Sequence, residues 1–164
     1  MAVRDEDFRA LMGSFASSVT VVTTLDADGT PHALTATAFT SVSLDPPLCL
    51  VCVDRTARAH GPMRVGRKFA VNVLAAGQRH WSVRFSALEG DRFAGIEWHP
   101  GPRTGCPLLP GTLARAECEV ADICHGGDHD IFIGRVLSAD SDAGAPLVYW
   151  RGTYSRLEPL DDDG

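Results

Sequence analysis

At 164 residues the chain is long enough for one domain with a single buried core, and its 45% hydrophobic content is ordinary for a globular protein. A net charge of −6 excludes general nucleic-acid binding, which depends on phosphate neutralisation by Lys and Arg. No window reaches the roughly 18 apolar residues of a membrane helix, and the acidic start Met1-Ala2-Val3-Arg4-Asp5-Glu6-Asp7 lacks the apolar stretch of a secretory signal, so a cytoplasmic protein away from the membrane is expected.

Phe8, Leu11, Met12 and Phe15 recur at i, i+3, i+4 and i+7, which predicts a short amphipathic helix. Ser18 to Thr24, rich in β-branched residues, reads as a strand. Asp26-Ala27-Asp28-Gly29 is a turn, and Pro31 to Phe39 forms the returning arm of a hairpin. Asp45-Pro46-Pro47 ends the next extended piece, because Pro donates nothing to a ladder. Leu48 to Val53 and Phe69 to Leu74 are buried strands. Between them, Arg55 to Val65 is expected to be helical, interrupted near Gly61-Pro62.

Trp81, Phe85 and Leu88 share one face at i, i+4 and i+7, which predicts a second helix after Gly77, with Trp81 and Phe85 expected in the core. Gly90 to Gly111 reads as a long surface loop, of the length that often serves function. Ala114, Ala116, Cys118 and Val120 alternate with Arg115, Glu117 and Glu119, so one face of that strand should be buried and the other wet. Gly126-Gly127-Asp128 turns the chain into a strand from Ile131 to Leu137, and a last strand covers Leu147 to Leu157. The expected whole is one unit, 1–164, frayed at 1–7 and 158–164. Hairpin-linked strands with two or three short helices make it mainly β, an antiparallel barrel with short flanking helices.

Several chemistries lack their motifs: there is no G-x-G-x-x-G after a strand, no P-loop, no G-x-S-x-G and no H-E-x-x-H. Cys49 and Cys52 form a C-x-x-C inside a strand, where positions i and i+3 face opposite sides. Cys118 and Cys124, six residues apart on one strand, would lie roughly 20 Å apart at ~3.3 Å per residue, too far to share a zinc ion. No metal is expected.

Two segments carry the candidate site. Thr35 to Ser43 holds five hydroxyls among small residues, a composition for an edge strand or for the wall of a flat ligand's slot. Asp54-Arg55-Thr56-Ala57-Arg58-Ala59-His60 follows a buried strand, and from Arg55 to Arg84 there are seven basic residues and no acidic one. Such a stretch is either a solvated basic face or a place for a phosphate. His129, opening a strand after Gly-Gly-Asp, is either a turn cap or a ligand contact.

Thr35-Ala-Thr-Ala-Phe-Thr-Ser-Val-Ser-Leu-Asp-Pro-Pro47, Val53-Asp-Arg-Thr-Ala-Arg-Ala-His60, Phe69-Ala-Val-Asn-Val-Leu74, Gly127-Asp128-His129 and Tyr149-Trp150-Arg151-Gly152-x-Tyr154 together resemble the short-chain flavin reductases, the reductase components of two-component flavin monooxygenases. The likeness runs from about Phe8 to Leu157. It implies a Greek-key split barrel, homodimeric, with FMN or FAD near the subunit interface, NADH or NADPH as hydride donor, and a flavin-dependent monooxygenase as partner. By the same resemblance Thr35, Ala36, Thr37, Ala38 and Ser41 line the isoalloxazine and ribityl chain, and Asp54, Arg55, Thr56 and Arg58 lie toward the phosphate. Asn72 and Val73 stand on the flavin-side strand, His129 positions the nicotinamide, and Arg84, Phe85 and Tyr154 are further candidates. The competing readings are a non-catalytic flavin-binding module, a reductase or oxidase acting on ferric chelates, a corrinoid or pyridoxamine phosphate, and a barrel for protein interaction alone. Lys68 is the only lysine, few for a large phosphate-binding set.

Overall fold

A computed structural model describes residues 2–87 and 89–158, with the side chains of residues 65 and 66 left out. Its centre is a seven-stranded antiparallel sheet in the order β3-β2-β6-β9-β10-β5-β4. These strands are β2 (Thr20–Leu25), β3 (Pro31–Ala36), β4 (Phe39–Leu44), β5 (Pro47–Asp54), β6 (Lys68–Val73), β9 (Ala114–Gly126) and β10 (His129–Ser141). The two edge strands, β3 and β4, are consecutive in the chain with only Thr37 and Ala38 between them. Two residues cannot span a flat seven-stranded sheet, whose strands lie about 4.8 Å apart. The sheet therefore curls until its edges approach, and the β4–β5 ladder runs on into the junction, where the Cys52 amide bonds the Ala38 carbonyl at 3.0 Å.

Inside the curl, Val22, Val51, Val53, Met63, Phe69, Val71, Cys118 and Phe132 form one apolar cluster. A second, of Val19, Val21, Leu74, Phe85, Leu109 and Leu147, lies outside β2. β2 is thus covered on both faces, which is why its residues are buried without alternation. Each fully buried Phe or Val side chain contributes roughly 1.5–3 kcal/mol.

A smaller three-stranded sheet joins β1 (Ser17–Ser18), β11 (Leu147–Trp150) and β12 (Thr153–Arg156). The predicted single strand from Leu147 to Leu157 is therefore a hairpin. Arg151 (φ 48°) and Gly152 (φ 79°) make its two-residue turn, both with positive φ. The loop expected at 90–111 is partly ordered by β7 (His99–Pro100) and β8 (Pro107–Leu108), and Cys106 and Leu109 are buried.

Three helices complete the fold: α1 (Asp5–Gly13), α2 (His60–Gly66) and α3 (Arg79–Ser86). Asp5 to Asp7 are the acidic first turn of α1, so helix begins inside the stretch expected to fray. Gly61-Pro62 does not interrupt α2; Pro62 sits in its first turn, where a missing N–H costs nothing. α3 carries Trp81 and Phe85 into the second cluster as expected. Leu88 and the tail at 159–164 lie outside the described residues. Glu117 corrects the predicted alternation: it is buried at 3% exposure because the 101–106 loop folds over it. Its carboxylate accepts from the Arg103 and Thr104 amides, the Thr104 hydroxyl and Ser138 Oγ at 2.8–2.9 Å. Burial pushes this carboxyl up, and those hydrogen bonds outweigh it, leaving the pKa below its ordinary value.

Gly134 lies where β10 crosses the inner cluster, and a Cβ there would sit 2.8 Å from Phe69 Cε1 and 3.1 Å from Cys118 Cβ. Both neighbours are fully buried. Gly134→Ala is expected to destabilise the protein by about 1–3 kcal/mol, read as a lower urea midpoint with an unchanged slope.

Candidate functional site

At the gap between the sheet's edges lies a cavity of about 450 Å³, within the range of small-molecule sites. One wall is the β3–β4 junction, Thr35, Ala36, Thr37 and Ala38; facing it are Cys52, Asp54, Thr56, Ala57 and Arg58 from the end of β5 and the turn after it. Phe85, Ser86 and Ala87 at the end of α3, Arg92 and His129 close the remainder. The junction wall has only short side chains, so a flat ligand can approach the backbone there. Thr35 Oγ1 is committed to the Ser82 carbonyl at 2.8 Å.

The turn after β5 is locally built. Asp54 Oδ1 accepts from the Thr56 amide at 2.7 Å and from its hydroxyl at 2.8 Å, an Asx turn. These bonds, the backbone one foremost, hold the Asp54 carboxyl below its ordinary pKa, and the nearby His129 and His60 add to the effect. Asp54 pairs in register with His129 across β5 and β10. His129 Nδ1 lies 2.7 Å from Asp128 Oδ1. A carboxylate only accepts, so Nδ1 carries the proton of that bond and Nε2 is left for other partners.

Two guanidiniums share the cavity wall. Arg58 Nη1 donates to the Gly90 carbonyl at 3.3 Å, and Arg92 Nη1 to the Phe85 carbonyl at 3.0 Å. Among the described residues, neither forms an ion pair. Burial, and then the like charge of Arg58, lowers the Arg92 pKa. Both arginines keep donors for an anion, and arginine remains charged at physiological pH.

The structure thus brings Thr35, Ala36, Thr37, Ala38, Asp54, Thr56, Arg58, Phe85 and His129 together. It does not bring the other candidates to this cavity. Ser41 is exposed on β4. Arg55 turns to Asp130 at 3.2 Å. Asn72 is fully buried, donating to the Val21 and Pro107 carbonyls at 3.2 and 3.4 Å and accepting from the Leu109 amide at 2.8 Å, so its amide ties β8 to the sheet. Val73 lines an adjacent hollow that shares Thr37. Arg84 donates to the carbonyls of Arg92, at 2.7 Å, and of Ala94, holding the loop that presents Arg92. Tyr154 stands one hydrogen bond behind Thr35's partner, its hydroxyl 2.9 Å from Ser82 Oγ.

Sequence reasoning missed Cys52, Ser86, Ala87 and above all Arg92. Arg92 follows Glu89 and Asp91 in a segment read as loop, so neither periodicity nor charge marked it.

A curled antiparallel sheet with a small-residue slot at its split and paired guanidiniums beside it defines a split-barrel protein with a cavity suited to a flat, anionic ligand. Residues 12–158 match the family described as flavin reductase like domain. The chain is 42% identical over 164 residues to the flavin reductase (NADH) of Kitasatospora aureofaciens, covering 98% of this chain and 85% of that one. It is 38% identical over 159 residues to the reductase subunit of a flavin-dependent monooxygenase from Rhodococcus jostii, covering 96% and 80%. A solved structure of the Streptomyces globisporus NADH:FAD oxidoreductase with NAD and FAD fragments matches at a TM-score of 0.90 and 37% identity, covering 99% of both chains. The chain belongs to the flavin reductase like family.

Asp54 has a depressed pKa, so its contribution to stability is complete above the unfolded carboxylate range and is lost as pH falls through the lower folded value. Asp54→Asn retains an acceptor for Thr56 without titrating. Its acid limb of stability against pH, followed by urea unfolding between about pH 3 and pH 7, is expected to be shallower than that of the wild type.

Proposed function

We propose that the protein is an NAD(P)H-dependent flavin reductase that supplies reduced FMN or FAD to a partner flavin-dependent monooxygenase. The observation that carries this reading is one cavity combining the Thr35–Ala38 backbone wall, the Arg58 and Arg92 guanidiniums, and His129. These residues fit a flavin: short side chains admit a flat tricyclic ring, N–H and hydroxyl groups meet its polar edge, and two guanidiniums with donors to spare and no carboxylate partner suit its phosphate. Bound flavin supplies the redox chemistry, accepting hydride from the reduced nicotinamide. The chain's own part is positioning. Thr35 to Ala38 would hold the ring, Arg58 and Arg92 the phosphate, and His129, steadied by Asp128, would orient the nicotinamide. No side chain has to move a proton, so a site without an acid–base dyad suffices.

The same reading takes the whole chain as one domain that works as a homodimer. α1 buries none of its residues, and Phe8, Leu11 and Phe15 are 57%, 67% and 70% exposed. That apolar face borders a hollow of about 490 Å³ lined by Met12, Phe15 and Tyr149, which shares Thr37 and Ala38 with the cavity. A second copy covering it would bury apolar area and complete the flavin slot. A cytoplasmic setting agrees with five cysteines that are all free thiols. No helix among the described residues is long and apolar enough to cross a membrane.

The test is steady-state oxidation of NADH and of NADPH with FMN, FAD and riboflavin in turn. Flavin titration with no flavin-dependent NADH or NADPH oxidation would sink the reductase reading and leave a binding module. His129→Ala is expected to raise the NADH KM roughly tenfold while flavin affinity changes by less than about twofold; equal loss of both removes the assigned role. Arg58→Ala and Arg92→Ala should each weaken FMN and FAD about tenfold, with riboflavin, which has no phosphate, unaffected in fluorescence titration.

A further inference from the structure

Directly behind the cavity wall, a carboxylate with no exposed surface gathers four nitrogen donors. Asp130 Oδ1 meets Arg55 Nε at 3.2 Å and His125 Nδ1 at 2.7 Å. Its Oδ2 meets His60 Nε2 at 2.7 Å and the Arg64 guanidinium. These donors come from three places: the turn after β5, helix α2, and the end of β9. The carboxylate is acceptor-only, so His60 presents an Nε2–H and His125 an Nδ1–H. Hydrogen bonds from His125 first, then His60, Arg64 and Arg55, hold Asp130 well below the usual carboxylate range against the effect of burial.

Asp130, Arg55, His125 and His60 each lie within two residues, in the chain or across the ladder, of a residue lining the cavity. Asp130 follows His129, and alternation along β10 sends the two side chains to opposite faces, one to the cavity and one behind it. Arg55 lies between Asp54 and Thr56, and its amide also bonds the Asp128 carbonyl at 3.2 Å. His125 precedes Gly126, the register partner of His129. α2 begins at His60, two residues beyond Arg58. The carboxylate is therefore the common anchor of the turn bearing Asp54, Thr56 and Arg58 and of the strand start bearing His129.

We propose that Asp130 is a positioning residue: by tying Arg55, His60, Arg64 and His125 together it fixes the spacing between His129 and the Asp54–Arg58 turn, and so sets how well the cavity accepts the nicotinamide dinucleotide. This rests on the reductase reading above. The arrangement suits that role better than plain stabilisation. Ion pairs to a buried carboxylate add little net stability compared with an apolar filling of the same shape, yet they fix each partner in direction as well as distance.

Asp130→Asn keeps the shape but offers an NH2 where one acceptor oxygen stood. Its NADH KM is expected to rise roughly tenfold while kcat at saturation changes by about threefold or less. The Arg55 amide, bonded to the Asp128 carbonyl, should exchange its hydrogen faster, and the amides of β2 and β6 should not. His60→Gln and His125→Asn each return an amide N–H to the place of the ring N–H and should keep the wild-type KM. His60→Leu and His125→Ala, which return none, should raise it. An Asp130→Asn protein of lower melting temperature with unchanged NADH KM and Arg55 exchange overturns the proposal. If that variant does not fold, the histidine variants decide, and equal KM in the donor-bearing and donor-less members of each pair overturns it too. A wild-type protein without NADH- or NADPH-dependent flavin reduction removes the reductase reading instead, and Arg55 exchange then tests the anchoring alone.

Discussion

Everything about the site follows from one covalent constraint: the two edge strands of a seven-stranded sheet are joined by only two residues. Thr37 and Ala38 force β3 and β4 together, and the sheet has to roll to allow it. A closed antiparallel ladder would leave no opening, but here the meeting edges are not paired with each other. Backbone groups at such an edge are the ready-made polar surface that sheets normally hide. The cavity lies against them, so the unpaired edge becomes binding surface.

The rest of the chain deepens that opening. α3 packs beside β3 and contributes Phe85 to the second apolar cluster, while the residues just after Phe85 reach the cavity. The 92–94 segment is held by a reciprocal pair of bonds: Arg84 reaches the Arg92 carbonyl, and Arg92 reaches the Phe85 carbonyl. Two arginines placed side by side without a carboxylate repel each other, a smaller addition to the burial that chiefly lowers the Arg92 pKa. On the proposed reading a phosphate removes that repulsion on binding, so the protein is organised around a charge the ligand brings.

How much of this could be read from the residues depends on whether the signal is local. Strands with period-two burial, the Asp26–Gly29 and Gly127–Asp128 turns, and the small-residue wall at Thr35–Ala38 depend on neighbouring residues, and they are legible. Glu117 is not: its neighbours make it look solvent-facing, and only a loop some 13–14 residues upstream covers it. Asn72 gives the same lesson in reverse. The family resemblance places it on the flavin-side strand, yet its amide satisfies backbone groups brought by β2 and by β8 and the residue after it. Arg55 and Arg58 lie three apart in one basic stretch, and their separate fates were set by Asp130, a residue 75 positions from Arg55. The final hairpin was missed for a smaller reason: Arg at the first turn position with positive φ is uncommon, so Arg151-Gly152 did not read as a turn.

The polar inventory of the cavity also bears on how long a ligand should stay. The Thr35–Ala38 wall offers backbone groups and short hydroxylated side chains, and Arg58 is exposed rather than enclosed. Contacts of this kind orient a ligand without the full desolvation that makes a buried charge clamp slow to release. A reductase that passes its flavin onward needs that balance, because the oxidised ring must be held long enough to meet the nicotinamide and the reduced ring must then depart. On the proposed reading, rigidity is supplied from behind, by Asp130 and its four partners, none of which lines the cavity. Precision and weak holding are separated on that reading: the cluster around the buried Asp130 carboxylate fixes where the wall stands, and the wall is free to bind lightly.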